Sequence, residues 1–162
     1  MRLGVWRLAP PSEEKPRLLP QDKMETIVAL LGRYHPVAVY AFGSRVAGEE
    51  RADSDLDLAV LLLAGSHLPV DEKLGIAHKL EEVAGCDVDL VVLNDARLPV
   101  RFEIIRHGRV LWEASQGERT DAEEIIVRDY LDFRPFLQRS FRDMLDGARE
   151  GSGRTTRGNT HR

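Results

Sequence analysis

Residues 41–60 read AFGSRVAGEERADSDLDLAV, and two features of this stretch are chemical. Gly43-Ser44 closes the β-branched and aromatic run VAVYAF (37–42), and Asp55-Leu56-Asp57 opens the apolar run LDLAVLLL (56–63). Side chains on a strand alternate faces, so Asp55 and Asp57 project to one side while Leu56 and Leu58 project to the other. Two carboxylates on one face repel unless positive charge lies between them, and a divalent cation meets that need. Mg²⁺ takes hard oxygen ligands, keeps several waters, and commonly combines one or two carboxylates with substrate phosphates. A third run, CDVDLVVL (86–93), places Asp87 and Asp89 on one face as well. Either one completes a three-carboxylate set if this strand lies beside 56–63.

The Gly-Ser pair has a complementary chemistry. A glycine lets a phosphate approach the backbone, and exposed N–H groups with the Ser44 hydroxyl make an anion cradle. Arg45 adds a charge-assisted contact to the same phosphates. A triphosphate held at one end and metal-binding carboxylates at the other suit attack by a hydroxyl on the α-phosphate, with pyrophosphate leaving. Each half alone is also an ordinary turn. Their placement on the two elements flanking one connection is what points to catalysis.

The elements that must position these residues alternate along the chain. Met24, Ile27, Val28 and Leu31 share a helical face, preceded by a capping-box spacing at Asp22 and Glu25. The run 56–63 is apolar on both faces, which predicts a central strand. Residues 70–84 carry a helical apolar pattern stopped by Gly85, and Pro99 opens a short helix, PVRFEIIRH, closed by Gly108. RVLWE (109–113) reads as a short edge strand. Thr120 and Glu123 repeat the capping-box spacing before a final helix bearing Ile126, Tyr130, Leu137, Phe141 and Leu145, which Pro135 is expected to kink or split. The order α-β-β-α-β-α-β-α predicts an α/β (α+β) fold, a small mixed sheet with helices packed on it. Residues 1–20 read as an extended arm, 21–148 as the folded domain and 149–162 as a disordered tail.

Composition narrows the function classes. The chain has 162 residues, 43% hydrophobic and 31% charged, as expected of a single soluble domain. No apolar run approaches a membrane span, the N-terminal stretch lacks the pattern of a secretory signal, and the lone Cys86 fits a reducing compartment, so the expectation is a cytoplasmic protein. Net charge is −4, but residues 24–148 alone carry −9, from 14 basic and 23 acidic side chains. A groove for a nucleic-acid polymer is basic and interleaved with aromatics, so such a partner is disfavoured. The histidines stand apart: His35 and His107 read as helix-end residues, His78 as a helix-surface residue, and His67 and His161 as loop and tail residues. Cys86 reads as core. Arg101, Arg106 and Arg109 read as a solvated face. The aromatic stripe Tyr130, Phe133, Phe136 and Phe141 reads either as packing on the sheet or as a docking face for a partner.

Gly43-Ser44, ten residues, then Asp55-x-Asp57, with VDLVVLN and RFEIIRHGRVLWE following, resembles the nucleotidyltransferase superfamily that includes DNA polymerase beta. Within it, the stretch from about 24 to 113 looks like the minimal MNT-domain proteins encoded beside HEPN-domain partners in toxin–antitoxin pairs. The resemblance implies that Gly43 and Ser44 touch the triphosphate, that Asp55 and Asp57 hold two Mg²⁺ ions, and that Asp89 is the third ligand. It implies transfer of AMP from ATP to a tyrosine of a HEPN ribonuclease toxin, in a hetero-oligomer of the two proteins, which silences the toxin. Ala47 stands where many relatives carry a second Arg, and Glu49-Glu50 follow, so the loop is less cationic than the pattern. Two other readings are a small-molecule (antibiotic) adenylyltransferase and a non-catalytic antitoxin that works by covering its partner.

Overall fold

The computed structural model describes residues 18–47 and 55–152. Most of the arm, the segment with Glu49, Glu50 and Arg51, and residues 153–162 lie outside the described residues. The elements run α1 (Gln21–Leu31), a 3-10 turn (Gly32–Tyr34), β1 (Pro36–Phe42), α2 (Ser44–Ala47), β2 (Leu56–Leu62), α3 (Val70–Ala84), β3 (Val88–Val92), α4 (Leu98–His107), β4 (Arg109–Glu113) and α5 (Gln116–Ser152). They match the expected order, with the short α2 added. None of the described helices is long and apolar enough to cross a membrane.

The four strands form one sheet in the order β3-β2-β1-β4. β1 pairs antiparallel with β2 and β4, whereas β2 and β3 are parallel, so the sheet is mixed. β2 is interior and apolar on both faces, and β4 is an edge. Leu56, Leu58, Val60 and Leu62 of β2 point into a core covered by Met24, Ile27 and Leu31 of α1 and by Ile76 and Leu80 of α3. The alternate residues Ala59 and Leu61 meet Ile104 and Ile105 of α4 and Ile126 of α5 on the other face. Burying each such Leu or Ile contributes about 1.5–3 kcal/mol. Two helical layers therefore hold the sheet, and the second leaves the start of β2 and β3 uncovered.

Neither capping-box spacing caps a helix. α1 starts at Gln21 behind Pro20, with no side-chain cap. α5 starts at Gln116, so Thr120 lies inside it and its hydroxyl donates back to the Gln116 carbonyl (2.7 Å). Glu123, 2% exposed, turns inward instead. Its carboxylate accepts both Arg119 Nη1 (2.8 Å to each oxygen) and the Tyr40 hydroxyl (2.8 Å), while Arg119 Nε donates to Glu113 (2.5 Å). This network ties α5 to β1 and β4. Burial, and then the Glu123 charge, push the Tyr40 hydroxyl far above its ordinary pKa, so it stays a donor.

Pro135 does not split α5, which is a single 37-residue helix. Proline removes one backbone donor, leaving the Leu131 carbonyl without its helical partner. Residues 131–136 are all exposed, so the freed carbonyl is open to solvent. Only the first part of α5 is packed, by Ile126 and by the ring of Tyr130 stacked on Phe102 (centroids 3.9 Å).

Removing Glu123 would leave the buried Tyr40 hydroxyl without its acceptor and Arg119 with Glu113 alone. Glu123→Ala is expected to cost about 3–5 kcal/mol, and Tyr40→Phe about 1.5–3 kcal/mol, in urea unfolding. Equal, small effects from both would show that the network is not holding α5.

Candidate active site

β1 ends at Phe42, and Gly43 turns the chain with φ +74°, a left-handed conformation that glycine adopts without steric cost. A second reason for glycine is tertiary. A Cβ at position 43 would stand 2.0 Å from Asp57 Oδ2, so the Asp57 carboxylate occupies the space a side chain would fill. The antiparallel register produces this contact by setting Phe42 opposite Asp57. Ser44 then opens α2, whose Val46 and Ala47 amides both donate to the Gly43 carbonyl (3.1 Å each). The turn is thereby fixed directly beside the carboxylate.

On the other side of β2, the parallel ladder sets Asp57 beside Asp89. Asp57 is half-buried and Asp89 exposed, and both lie on the face bearing α4 and α5. Asp55 is exposed just before β2. Its charge and that of Asp89 both act on Asp57, whose carboxyl is held above its ordinary pKa first by desolvation, then by Asp89 and by Asp55. Arg45 acts in the opposite direction, which puts its guanidinium within electrostatic reach of the same carboxylate. Asp87 precedes β3, where its carbonyl accepts the Leu56 amide (2.9 Å). It is not among the charges that move Asp57. The structure thus brings together Gly43, Ser44, Arg45, Asp55, Asp57 and Asp89, and sets Asp87 further off.

The donor set is one for a hard cation: clustered carboxylate oxygens whose repulsion a cation relieves. Among the described residues, no three His, Cys, Asp or Glu side chains converge on a single metal position. Asp55, Asp57 and Asp89 are therefore not drawn onto one metal position here, and Mg²⁺ at such carboxylates would need phosphate and water oxygens to complete its shell. Of the residues singled out as bystanders, His35 closes the 3-10 turn with φ 53°, and His107 ends α4 with Nε2 3.4 Å from Glu103. Cys86 is a half-buried free thiol.

Because folded Asp57 binds its proton more tightly than the unfolded chain does, its ionised form opposes folding. That penalty is absent below the ordinary carboxylate pKa and grows as pH rises through the raised one. Asp57→Asn should therefore raise the melting temperature at neutral pH, by a margin that vanishes in acid. Millimolar Mg²⁺ should stabilise the wild type and leave Asp57→Asn unmoved. Gly43→Ala should cost about 1–2 kcal/mol from the left-handed backbone alone and should also blunt the Mg²⁺ response, since the carboxylate must move. Thermal melts across pH, with and without Mg²⁺, read all three effects.

Protein adenylyltransferase MntA of Shewanella oneidensis is 33% identical over 88 residues, covering 54% of this chain and 62% of that protein, so the match spans under two thirds of the relative. A chain from a crystal structure of a toxin–antitoxin with AMP-PNP superposes with a TM-score of 0.63 at 26% identity, over 80% of this chain and 98% of that one. A chain of the complex between tri-AMPylated Shewanella oneidensis HEPN toxin and MNT antitoxin shares the fold, with a TM-score of 0.58 at 24% identity over 79% and 97%. The profile of the family described as "Polymerase beta, Nucleotidyltransferase" matches residues 25–117, which contain every strand and every carboxylate of the site, and the chain belongs to that family.

Proposed function

We propose that this chain is a Mg²⁺-dependent protein adenylyltransferase and an antitoxin: it transfers AMP from ATP to a hydroxyl, a tyrosine, of a cognate HEPN ribonuclease toxin in the cytoplasm. The observation that carries the chemistry is the Asp57 carboxylate seated against Gly43 with Asp89 beside it in register. The attacking oxygen forms a bond to the α-phosphorus, the bond from that phosphorus to the β-phosphate bridging oxygen breaks, and pyrophosphate leaves. Gly43, Ser44 and Arg45 hold the phosphates on the β1 side. Asp89, on the β3 side, is oriented to take the hydroxyl proton. Two Mg²⁺ ions bound by Asp55, Asp57 and Asp89 would supply neutralisation of phosphate charge. The adenylyltransferase at 33% identity and the AMP-PNP-bound toxin–antitoxin at 26% support ATP and this reaction class.

The partner side of the reading draws on α5. Beyond Tyr130, among the described residues, large apolar side chains lie at the surface: Phe136 and Phe141 are each 60% exposed and Met144 61%. Phe133, Leu137, Phe141 and Met144 follow helical spacing, so they form one stripe. Large aromatic anchors of this kind dominate protein interfaces. In this reading the toxin binds along the stripe and presents its hydroxyl to the site in a hetero-oligomer. Adding a nucleotide puts bulk and negative charge where RNA would bind.

Wild type, Asp57→Ala and Phe141→Ser/Met144→Ser should be assayed with α-labelled ATP, Mg²⁺ and the co-encoded toxin. Label on the toxin is expected with wild type alone. The double substitution should weaken the complex at least tenfold with a stability change of about 0.5 kcal/mol or less per site. A stable complex without label, with neutralisation surviving Asp57→Ala, would favour an antitoxin that works by covering. No complex and no label would favour a small-molecule acceptor.

A further inference from the structure

The face of the sheet opposite the carboxylates is not closed at its β4 end. There α1 and β4 leave a groove between them with a volume of about 730 Å³, within the range of binding sites. Leu18, Val28, Leu111 and Trp112 give it half-buried apolar walls, and Glu25 and Arg109 also line it. β4 is the last strand in the sheet order, and an edge strand with an apolar flank is a docking surface unless something covers it.

The path of the chain narrows the occupant. The described residues begin at Leu18, itself a wall of the groove, so the 17 residues before it depart from the groove's own edge. Their composition falls into two parts. Residues 3–8, LGVWRL, contain Leu3, Val5, Trp6 and Leu8, whereas residues 9–17, APPSEEKPR, hold three prolines, four charged side chains and no large apolar one. The second part is a spacer with nothing to bury, and the first carries the apolar surface. Nine residues span at most about 30 Å and the five of β4 about 17 Å, so the spacer is long enough to bring residues 3–8 back along the groove.

Energetics and charge favour the same occupant. A tether this short gives an effective concentration in the millimolar range, so a contact too weak to hold two separate molecules suffices. Residues 1–8 carry Arg2 and Arg7 and no acidic side chain, against a net −9 over residues 24–148. The attraction between arm and domain is therefore favourable at long range. Trp6 has the largest apolar surface of the segment and is its natural anchor.

We propose that the groove between α1 and β4 is the docking site of residues 3–8 of the same chain, with Trp6 as the anchor. Seated there, the segment covers Trp112 and the β4 edge on the side away from Asp57 and Asp89. It acts on the integrity of that edge and not on the carboxylate site.

Trp6 and Trp112 are the 2 tryptophans of the chain, so the full chain labelled with 5-fluorotryptophan gives one fluorine resonance for each, and Trp6→Phe assigns them. The Trp6 resonance should lie away from that of a synthetic peptide of residues 1–17, with about half or less of the peptide's shift between water and heavy water, as for a desolvated anchor. Val28→Arg puts bulk and like charge into the groove and should return the resonance to the peptide position. Ala29→Arg, at an exposed position lining the groove, should do the same without touching the core. The Trp112 resonance reports that each variant is folded. A wild-type Trp6 resonance that coincides with the peptide's, or one that stays displaced in both folded variants, overturns the proposal. A displacement that fades on dilution, with a dimer in sedimentation, overturns it in favour of a second copy's segment as the occupant.

Discussion

The site depends on one close approach. Asp57 can lie where it does only because residue 43 has no Cβ, and Gly43 can turn as it does only because its φ of +74° is open to glycine. The two requirements fall on a single residue, so the phosphate turn and the carboxylate are fixed together. The contact also withdraws Asp57 from solvent, and the neighbouring carboxylates add to the cost of its charge. Stability is spent here to hold an electrostatic site in place, a common arrangement where pKa values are displaced.

Holding that arrangement requires a stiff sheet behind it. Both faces of β2 are covered beyond Asp57, by α1 and α3 on one side and by α4 and α5 on the other. The helices stop short of the end at which β2 and β3 begin, so the carboxylates open to solvent on one face only. α5 is joined to this scaffold by the Arg119–Glu123–Tyr40 network and the Phe102–Tyr130 stack. A buried ion pair contributes little net stability over apolar packing, but it allows few alternative positions for the helix. The rest of α5 continues on that footing, with Phe141 and Met144 of its apolar stripe exposed. A helix of 37 residues is about 55 Å long, far more than a four-stranded sheet can cover.

Much of this was legible along the chain. Period-two alternation put Asp57 and Asp89 on the faces opposite Leu56 and Leu58 and opposite Val88 and Leu90, and the all-apolar run marked β2 as interior, whereas Asp55 and Asp87 fall just before the strands, where the alternation does not reach. These are properties of a single segment, carried by local sterics. The spacing at Thr120 and Glu123 misled because a capping box and an inward-facing ion pair use the same residue types. Pro135 did not split the helix, because the cost of a proline depends on whether solvent reaches the freed carbonyl.

The sequence by itself determined the inventory: which side chains could bind phosphate or metal, on which elements, and facing which way along each strand. Tertiary structure decided which of them meet. The parallel register of β2 on β3 puts Asp89, rather than Asp87, beside Asp57, and the antiparallel register of β1 lays Gly43 under the same carboxylate. It also set α4 next to Phe42 and turned Glu123 toward Tyr40. Register and helix packing are fixed by cores assembled from distant segments. No local pattern encodes them, because the period of one strand is unchanged by sliding its neighbour.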